Sequence, residues 1–129
     1  IAETENVDKK CLFIIEAAAL THDIGIHFCE EKYGNCNGKL QEKEGPAIAE
    51  KLLGELGFDR NVSERVQYLI AHHHTYGNIN EMDYQILVEA DFLVNIMEEG
   101  SSKEAAIKAY QNIFKTSCGK KICREMFGI

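Results

Sequence analysis

Apolar side chains recur at helical spacing along almost the whole chain, and this periodicity limits the fold more than any other feature. The first stripe joins Cys11, Ile15, Ala18 and His22, which are spaced so that they share one helix face. The chain contains a single proline and no strand-like alternation of apolar and polar residues. We therefore predict an all-α fold, a helical bundle of about six helices that forms one domain over residues 1–129.

Residues that favour helix ends divide this pattern into segments. The first helix is expected over residues 8–22, with Gly25 as its terminator in the left-handed conformation. The polar residues 27–44 are too many for an ordinary connection, so they predict a long loop, and loops of this length tend to be functional or mobile. Pro46 suits the first turn of the second helix, and Gly57 lies just past its end.

Capping signals also predict the remaining helices. Asn61 and Glu64 have the spacing of a capping box at the start of the third helix. Asn80 begins a fourth helix, Ser101 begins a fifth, and a short helix completes the chain. The inward stripes of helices two to five are predicted to hold Ile48, Leu52, Leu53 and Leu56, then Val62, Val66, Leu69 and Ile70, then Leu87, Ala90 and Val94, and finally Ile107, Tyr110 and Phe114.

The charge and the cysteine content argue against several functional classes. A net charge of −7 disfavours a nucleic-acid polymer as partner, although a bound cation still permits a small anionic substrate. No apolar run reaches the roughly 18 residues of a membrane span, and the polar start lacks a secretory signal. Five scattered cysteines without zinc-ribbon spacing favour a reducing compartment. We predict a cytoplasmic protein without a membrane partner.

Three ionisable residues occupy positions where the helical pattern requires a core residue: His22, His73 and Asp91. Burying a carboxylate is unfavourable by several kcal/mol unless it is paired or bound to a metal. One such residue usually indicates a satisfied core group. Three on separate helices favour convergence inside the bundle, which is how helical bundles build metal sites.

The adjacent residues His22 and Asp23 add a geometric constraint. Neighbours on a helix point about 100° apart, so both reach one ion only near a helix end. Gly25 is expected to supply that end. Imidazole and carboxylate groups without thiolate suit Mn²⁺, Fe²⁺, Zn²⁺ or Mg²⁺.

Four segments together resemble the HD superfamily of metal-dependent phosphohydrolases. They are AAALTHDIG (17–25), EGPAIAEKLL (44–53), YLIAHHHTY (68–76) and ILVEADFLVN (86–95). The resemblance covers nearly the whole chain in family order. It implies an all-α HD domain with a divalent metal, for which His22 and Asp23 match the HD pair and Asp91 matches the last ligand.

The chain departs from the family pattern at several positions. The family has an early His ligand, but no His precedes His22, so we expect a first helix and a ligand upstream of Ile1. Two-metal members often carry a further His where Gln41 stands here, which makes the match closer to one-metal members. Ile26 and His27 stand where many members have a Lys.

The three consecutive histidines at positions 72–74 have different expected roles. His74 is expected at a helix C-terminus, where His interacts favourably with the helix dipole. His73 continues an apolar stripe, and His72 lies three residues after Leu69, so either can face the pocket. With one metal, His72 and His73 are expected to bind phosphate or donate a proton.

Three further residues are candidates for binding substrate. Lys39 and Lys43 border the predicted loop, and a charge run of this kind either contacts phosphate or forms a solvated face. Asn95 lies one turn after Asp91 and is expected to support that carboxylate or touch substrate.

Together with these residues, the resemblance implies a metal-dependent phosphohydrolase, and by analogy its substrate is a nucleotide or another small phosphomonoester. In this mechanism Asp23 both binds the one divalent ion and orients the attacking water, and His72 or His73 protonates the leaving oxygen. Two alternatives remain open: a degenerate HD module that binds a ligand or partner without catalysis, and a plain helical interaction domain. Association as a homodimer is also left open.

Overall fold

Every regular element of the protein is an α-helix in the computed structural model, which describes all of residues 1–129. The seven helices are α1 (Lys9–Thr21), α2 (Ile26–Tyr33), α3 (Gly38–Glu55), α4 (Arg60–His72), α5 (Met82–Glu98), α6 (Lys103–Asn112) and α7 (Ser117–Phe127). The all-α prediction is confirmed. The chain divides into two compact units, a central unit (Phe13–Asn78) and a terminal unit (Ile1–Leu12 with Ile79–Ile129).

In the central unit, α3 packs mainly against α4 and also against α2. Two glycines allow the backbones of these elements to approach each other closely. A Cβ atom at Gly45 would lie only 2.7 Å from Cγ2 of Ile70, and one at Gly25 would lie 3.1 Å from the Gly45 backbone. The predicted stripe of α4 is confirmed, because Val66, Leu69 and Ile70 are all fully buried.

The predicted long loop over residues 27–44 is wrong, since most of it is helical. Two local signals account for the difference. Gly34 ends α2 in the left-handed conformation with φ of 74°, and Asn37 caps α3 by accepting a hydrogen bond from the Leu40 amide. Only residues 34–37 connect the two helices.

Three predicted helix ends are also corrected. Pro46 lies inside α3 rather than in its first turn, because the Asn37 cap starts the helix two turns earlier. Gly25 has φ of −80° and precedes α2 in a right-handed conformation, so it is not a left-handed terminator. Asp59, not Asn61, caps α4, and its carboxylate accepts a hydrogen bond from the Asn61 amide.

In the terminal unit, α5 packs against both α6 and α7. Its apolar cluster consists of Leu93, Ile96, Ala106, Ala109, Phe114 and Cys123. The prediction that Val94 and Ile107 point inward is wrong, because these side chains are 46% and 37% exposed. The same prediction for Leu56 in the central unit is also wrong, because it is 64% exposed. The inward face of α6 is formed by small alanines, which an apolar stripe of large residues does not indicate.

The carboxylate of Glu89 ties α5 to the start of α7. It is fully buried and accepts hydrogen bonds from the Lys115 and Thr116 amides at 2.6 and 2.9 Å. It also accepts from the Thr116 hydroxyl and from the Gln85 side-chain amide. Four donors satisfy this buried charge within the terminal unit.

One segment, Lys9–Tyr33, is long and apolar enough to cross a membrane by length and composition alone. Its most apolar window has a mean hydropathy of 1.4 and is 33% buried. The helix of a soluble protein core passes the same test, so this is weak evidence. The cytoplasmic location and the lack of a membrane partner stay predictions.

Candidate functional site

The structure brings His22, Asp23 and His73 together in the central unit. His22 and Asp23 lie in the turn that follows α1, and His73 follows the last residue of α4. Nε2 of His22 lies 3.3 Å from Oδ2 of Asp23, and Nε2 of His73 lies 4.0 Å from Oδ1. The two imidazole rings meet edge to face, with centroids 5.4 Å apart.

Backbone carbonyl groups orient both imidazoles. Nδ1 of His22 lies 2.8 Å from the carbonyl oxygen of Ala19, and Nδ1 of His73 lies 2.6 Å from that of Ile70. A carbonyl oxygen only accepts, so each Nδ1 carries a hydrogen and donates it. In a neutral imidazole the lone pair is then on Nε2, the atom that faces Asp23.

Asp23 is held as an anion. The hydrogen bond from His22 lowers the pKa of Asp23, and the charges of His22, His73 and His74 act in the same direction, while partial burial opposes them. Nε2 of His22 and Oδ2 of Asp23 lie 3.3 Å apart, a separation at which a proton or another cation can lie between them.

Gln41 also belongs to the site, although its contact with the histidines was not predicted from the sequence. Its Oε1 lies 3.3 Å from Nε2 of His73 and 3.2 Å from Nε2 of His74. His74 was predicted to end a helix, but it lies beyond α4 and its ring contacts that of His73, with centroids 4.0 Å apart. The available signal was a polar residue on the buried face of α3, four residues before Gly45.

His72 is the last residue of α4, and its ring stacks on Tyr68 with centroids 4.1 Å apart. Its Nδ1 lies 2.7 Å from the Tyr68 carbonyl oxygen. Of the two histidines predicted to be catalytic, His73 is the one placed beside Asp23. His73 is also fully buried, as its place on the apolar stripe predicts.

The two predicted phosphate-binding lysines lie on α3 rather than in a loop. Lys39 is 85% exposed, with Nζ 3.8 Å from the carboxylate of Glu42. Glu42 is largely buried and accepts a hydrogen bond from the Thr75 hydroxyl at 2.8 Å. Lys43 has its Nζ 3.5 Å from the hydroxyl of Tyr33.

Asp91 belongs to α5 in the terminal unit and is 9% exposed. Nδ2 of Asn95 donates a hydrogen bond to its Oδ2 at 3.1 Å, the supporting contact that their spacing predicts. Within the two units, no group of three or more His, Cys, Asp or Glu side chains has the arrangement of a metal-ligand set. The ligand set of His22, Asp23 and Asp91 stays a prediction.

No protein-family model, curated protein or solved structure matches this chain. The resemblance to the HD superfamily therefore depends on the four sequence segments alone. The geometry of the site is the independent basis on which a function is proposed.

Proposed function

We propose that the chain is an HD-superfamily domain that hydrolyses a phosphate ester with the help of one divalent cation. The ligands in this proposal are His22, Asp23 and Asp91. The observation that carries it is the ionised carboxylate of Asp23, which faces Nε2 of an imidazole whose Nδ1 is committed to a backbone carbonyl. The substrate class is a nucleotide or another small phosphomonoester.

The chemistry of the donor atoms fits a divalent cation. Histidine ligands commonly donate their other ring N–H to a carbonyl or carboxylate, as His22 does to Ala19. In this proposal Nε2 of His22 and the carboxylate of Asp23, which lie 3.3 Å apart, both hold the cation. Imidazole with carboxylate suits Mn²⁺, Fe²⁺, Zn²⁺ or Mg²⁺, and Asp91, supported by Asn95, adds a second carboxylate. When bound, such an ion lowers the pKa of water from about 15.7 toward about 7 and polarises the phosphoryl group.

The remaining groups handle protons and phosphate. In the proposed reaction Asp23 accepts a hydrogen bond from the attacking water and so orients it. His73, buried beside Asp23, protonates the leaving oxygen, and His72 is the second candidate for this role. Lys39 and Lys43 extend from one end of α3 and bind the phosphate.

The first prediction tests this activity directly. The full chain is assayed against a panel of phosphomonoesters, including nucleotides, with Mn²⁺, Fe²⁺, Zn²⁺ or Mg²⁺. We expect turnover that Asp23→Ala reduces by about 100-fold or more, because altering even the partners of metal ligands lowers activity 10–100-fold. Glu50→Ala is the matched control, since Glu50 is an exposed carboxylate elsewhere in the central unit.

Absence of turnover above the Asp23→Ala level with every metal and ester would contradict the proposal. If that protein still bound a divalent cation through Asp23, the function would be that of a binding module without catalysis.

A further inference from the structure

Gln41 occupies a position between two imidazole rings. Its side chain extends from α3, is 9% exposed, and places Oε1 3.3 and 3.2 Å from Nε2 of His73 and of His74. Gly38, one turn earlier in α3, makes room for the second ring. A Cβ atom there would lie 2.8 Å from Cγ of His74, so the imidazole rests directly on the glycine.

An amide suits this position because it matches an imidazole in either form. Nδ1 of His73 donates to Ile70, so the neutral ring presents a lone pair at Nε2 and the charged ring presents a hydrogen. The oxygen of Gln41 accepts that hydrogen. When the amide is turned by 180°, its NH₂ group occupies the same space and donates one N–H to each of the two Nε2 atoms.

The thiol of Cys36 also contacts this amide. Burial raises the pKa of the Cys36 thiol and the nearby Cys29 raises it further, while the hydrogen bond with Gln41 lowers it; the net shift is upward, so the group stays protonated. A thiol is both a weak donor and a weak acceptor. It therefore tolerates either orientation of the Gln41 amide.

We propose that Gln41 is a positioning residue whose single amide bridges His73 and His74 and holds the His73 ring beside Asp23. The importance of this bridge for catalysis rests on the proposed function, in which His73 donates a proton. Because Nδ1 of His73 donates to Ile70, the hydrogen that is transferred is the one on Nε2, which passes from its contact with Gln41 to the leaving oxygen. The turned amide of Gln41 then donates to the lone pair left on Nε2 and keeps the ring in place. A glutamate at position 41 only accepts hydrogen bonds, and a methionine neither accepts nor donates a strong one. These two substitutions therefore distinguish the bridging role of Gln41 from simple filling of space.

The test uses the full chain labelled with ¹⁵N, without substrate or metal, at one fixed pH. In Gln41→Met, we expect the Nε2 resonances of His73 and His74 to shift together, because both rings lose the same partner. In Gly38→Ala, the new Cβ displaces only the ring of His74, so the His74 resonance should shift more than that of His73. Far-UV circular dichroism checks that the helices persist.

A Gln41→Met protein in which either resonance keeps its wild-type position would overturn the bridge. If that protein does not fold, Gln41→Glu decides, since it has nearly the same shape and only accepts. Both resonances should then shift together, because one carboxylate replaces the amide that both rings contact, and movement of one alone contradicts the proposal.

Measurements of kcat and KM distinguish a residue that positions His73 for the reaction from one that only supports the fold. For any ester that the wild type hydrolyses, Gln41→Met is expected to lower kcat about 10-fold with KM changed by less than about 2-fold. An unchanged kcat would show that the bridge has no part in the reaction. Paired resonance shifts in a protein without turnover on any ester would leave the bridge intact and contradict the proposed function instead.

Discussion

At the scale of single residues, Glu44 illustrates how neighbours control a charge near the site. The hydroxyl of Tyr33 donates a short hydrogen bond to its Oε1, and Nζ of Lys32 lies 3.5 Å from the same atom. The Tyr33 hydrogen bond is the main reason that the pKa of Glu44 is lowered, and Lys32 and Lys43 add to it. This carboxylate precedes Gly45, at the point where α3 meets α4.

The second prediction follows from that contact. Tyr33→Phe is expected to raise the pKa of Glu44 toward its ordinary value, as measured by a ¹³C NMR titration of the side-chain carboxyl. A carboxyl with a lowered folded-state pKa stabilises the protein above its unfolded-state pKa and loses that contribution as pH falls through the folded-state pKa. The stability difference between wild type and Tyr33→Phe should therefore be present at neutral pH and shrink in acid.

Tyr110→Phe in the terminal unit is the matched control and should leave the Glu44 titration unchanged. A Glu44 pKa that does not move in Tyr33→Phe would show that Lys32 and Lys43, and not Tyr33, lower it.

The sequence predicted part of the site at this scale. His22 and His73 were identified because ionisable groups interrupted apolar stripes, and the contact of Asn95 with Asp91 followed from helical spacing. Gln41 was not identified as their contact, because its meeting with His73 spans 32 residues and depends on where α3 begins. Contacts of that kind follow from packing, which helical periodicity does not encode.

At the scale of helices, two of the three glycines of α3 have opposite surroundings. A Cβ atom at Gly45 would lie 2.7 Å from Ile70, whereas one at Gly54 would meet nothing within 4 Å. As the third prediction, Gly45→Ala should destabilise the protein by about 1–3 kcal/mol through overpacking. Gly54→Ala, the control in the same helix, should stabilise it by up to about 1 kcal/mol, because Ala favours helix over Gly.

Urea denaturation of both variants measures the difference. Equal stability of the two proteins would mean that α4 can move away from α3 without loss.

The fourth prediction concerns the link between α5 and α7. Glu89→Gln exchanges one acceptor oxygen for an NH₂ group that faces the amides of Lys115 and Thr116 or the Thr116 hydroxyl. Leaving a buried donor unsatisfied is unfavourable by roughly 1–3 kcal/mol. Glu98→Gln on the exposed end of α5 is the control. If the urea midpoint of Glu89→Gln were as high as that of Glu98→Gln, the hydrogen bonds of Glu89 would not stabilise the link between α5 and α7.

The existence of helices was more predictable than their ends. Six of the seven helices correspond to segments expected from periodicity and capping, whereas α2 was assigned to a loop. Half of its eight residues are charged or histidine, and they include the exposed pair His27 and Glu31 at i,i+4 spacing. A short surface helix of this kind has too few apolar residues for periodicity to reveal it.

At the scale of the whole molecule, a ligand that binds only the folded chain adds its binding free energy to the stability of the fold. The fifth prediction is that a divalent cation at 100 times its Kd stabilises the full chain by about 2.7 kcal/mol, as expected for a ligand that binds only the folded state. Asp23→Ala and Asp91→Ala should each remove that increment, whereas Glu50→Ala should keep it.

Denaturation with and without the cation measures the effect. An Asp91→Ala protein that keeps the full increment would remove Asp91 from the ligand set and leave His22 and Asp23 as the binding residues.

The contact between Gly25 and Gly45 also constrains how the protein can evolve. The turn before α2 approaches the backbone of α3, and Gly45 in turn approaches Ile70. Because backbone atoms cannot rotate away as a side chain can, and Gly45 has no side chain to lose, a larger residue at position 25 would require the backbone of α3 to shift. Positions 25 and 45 should therefore both remain glycine among descendants of this chain, and paired glycines at this spacing offer a means of recognising distant relatives whose overall sequences have diverged.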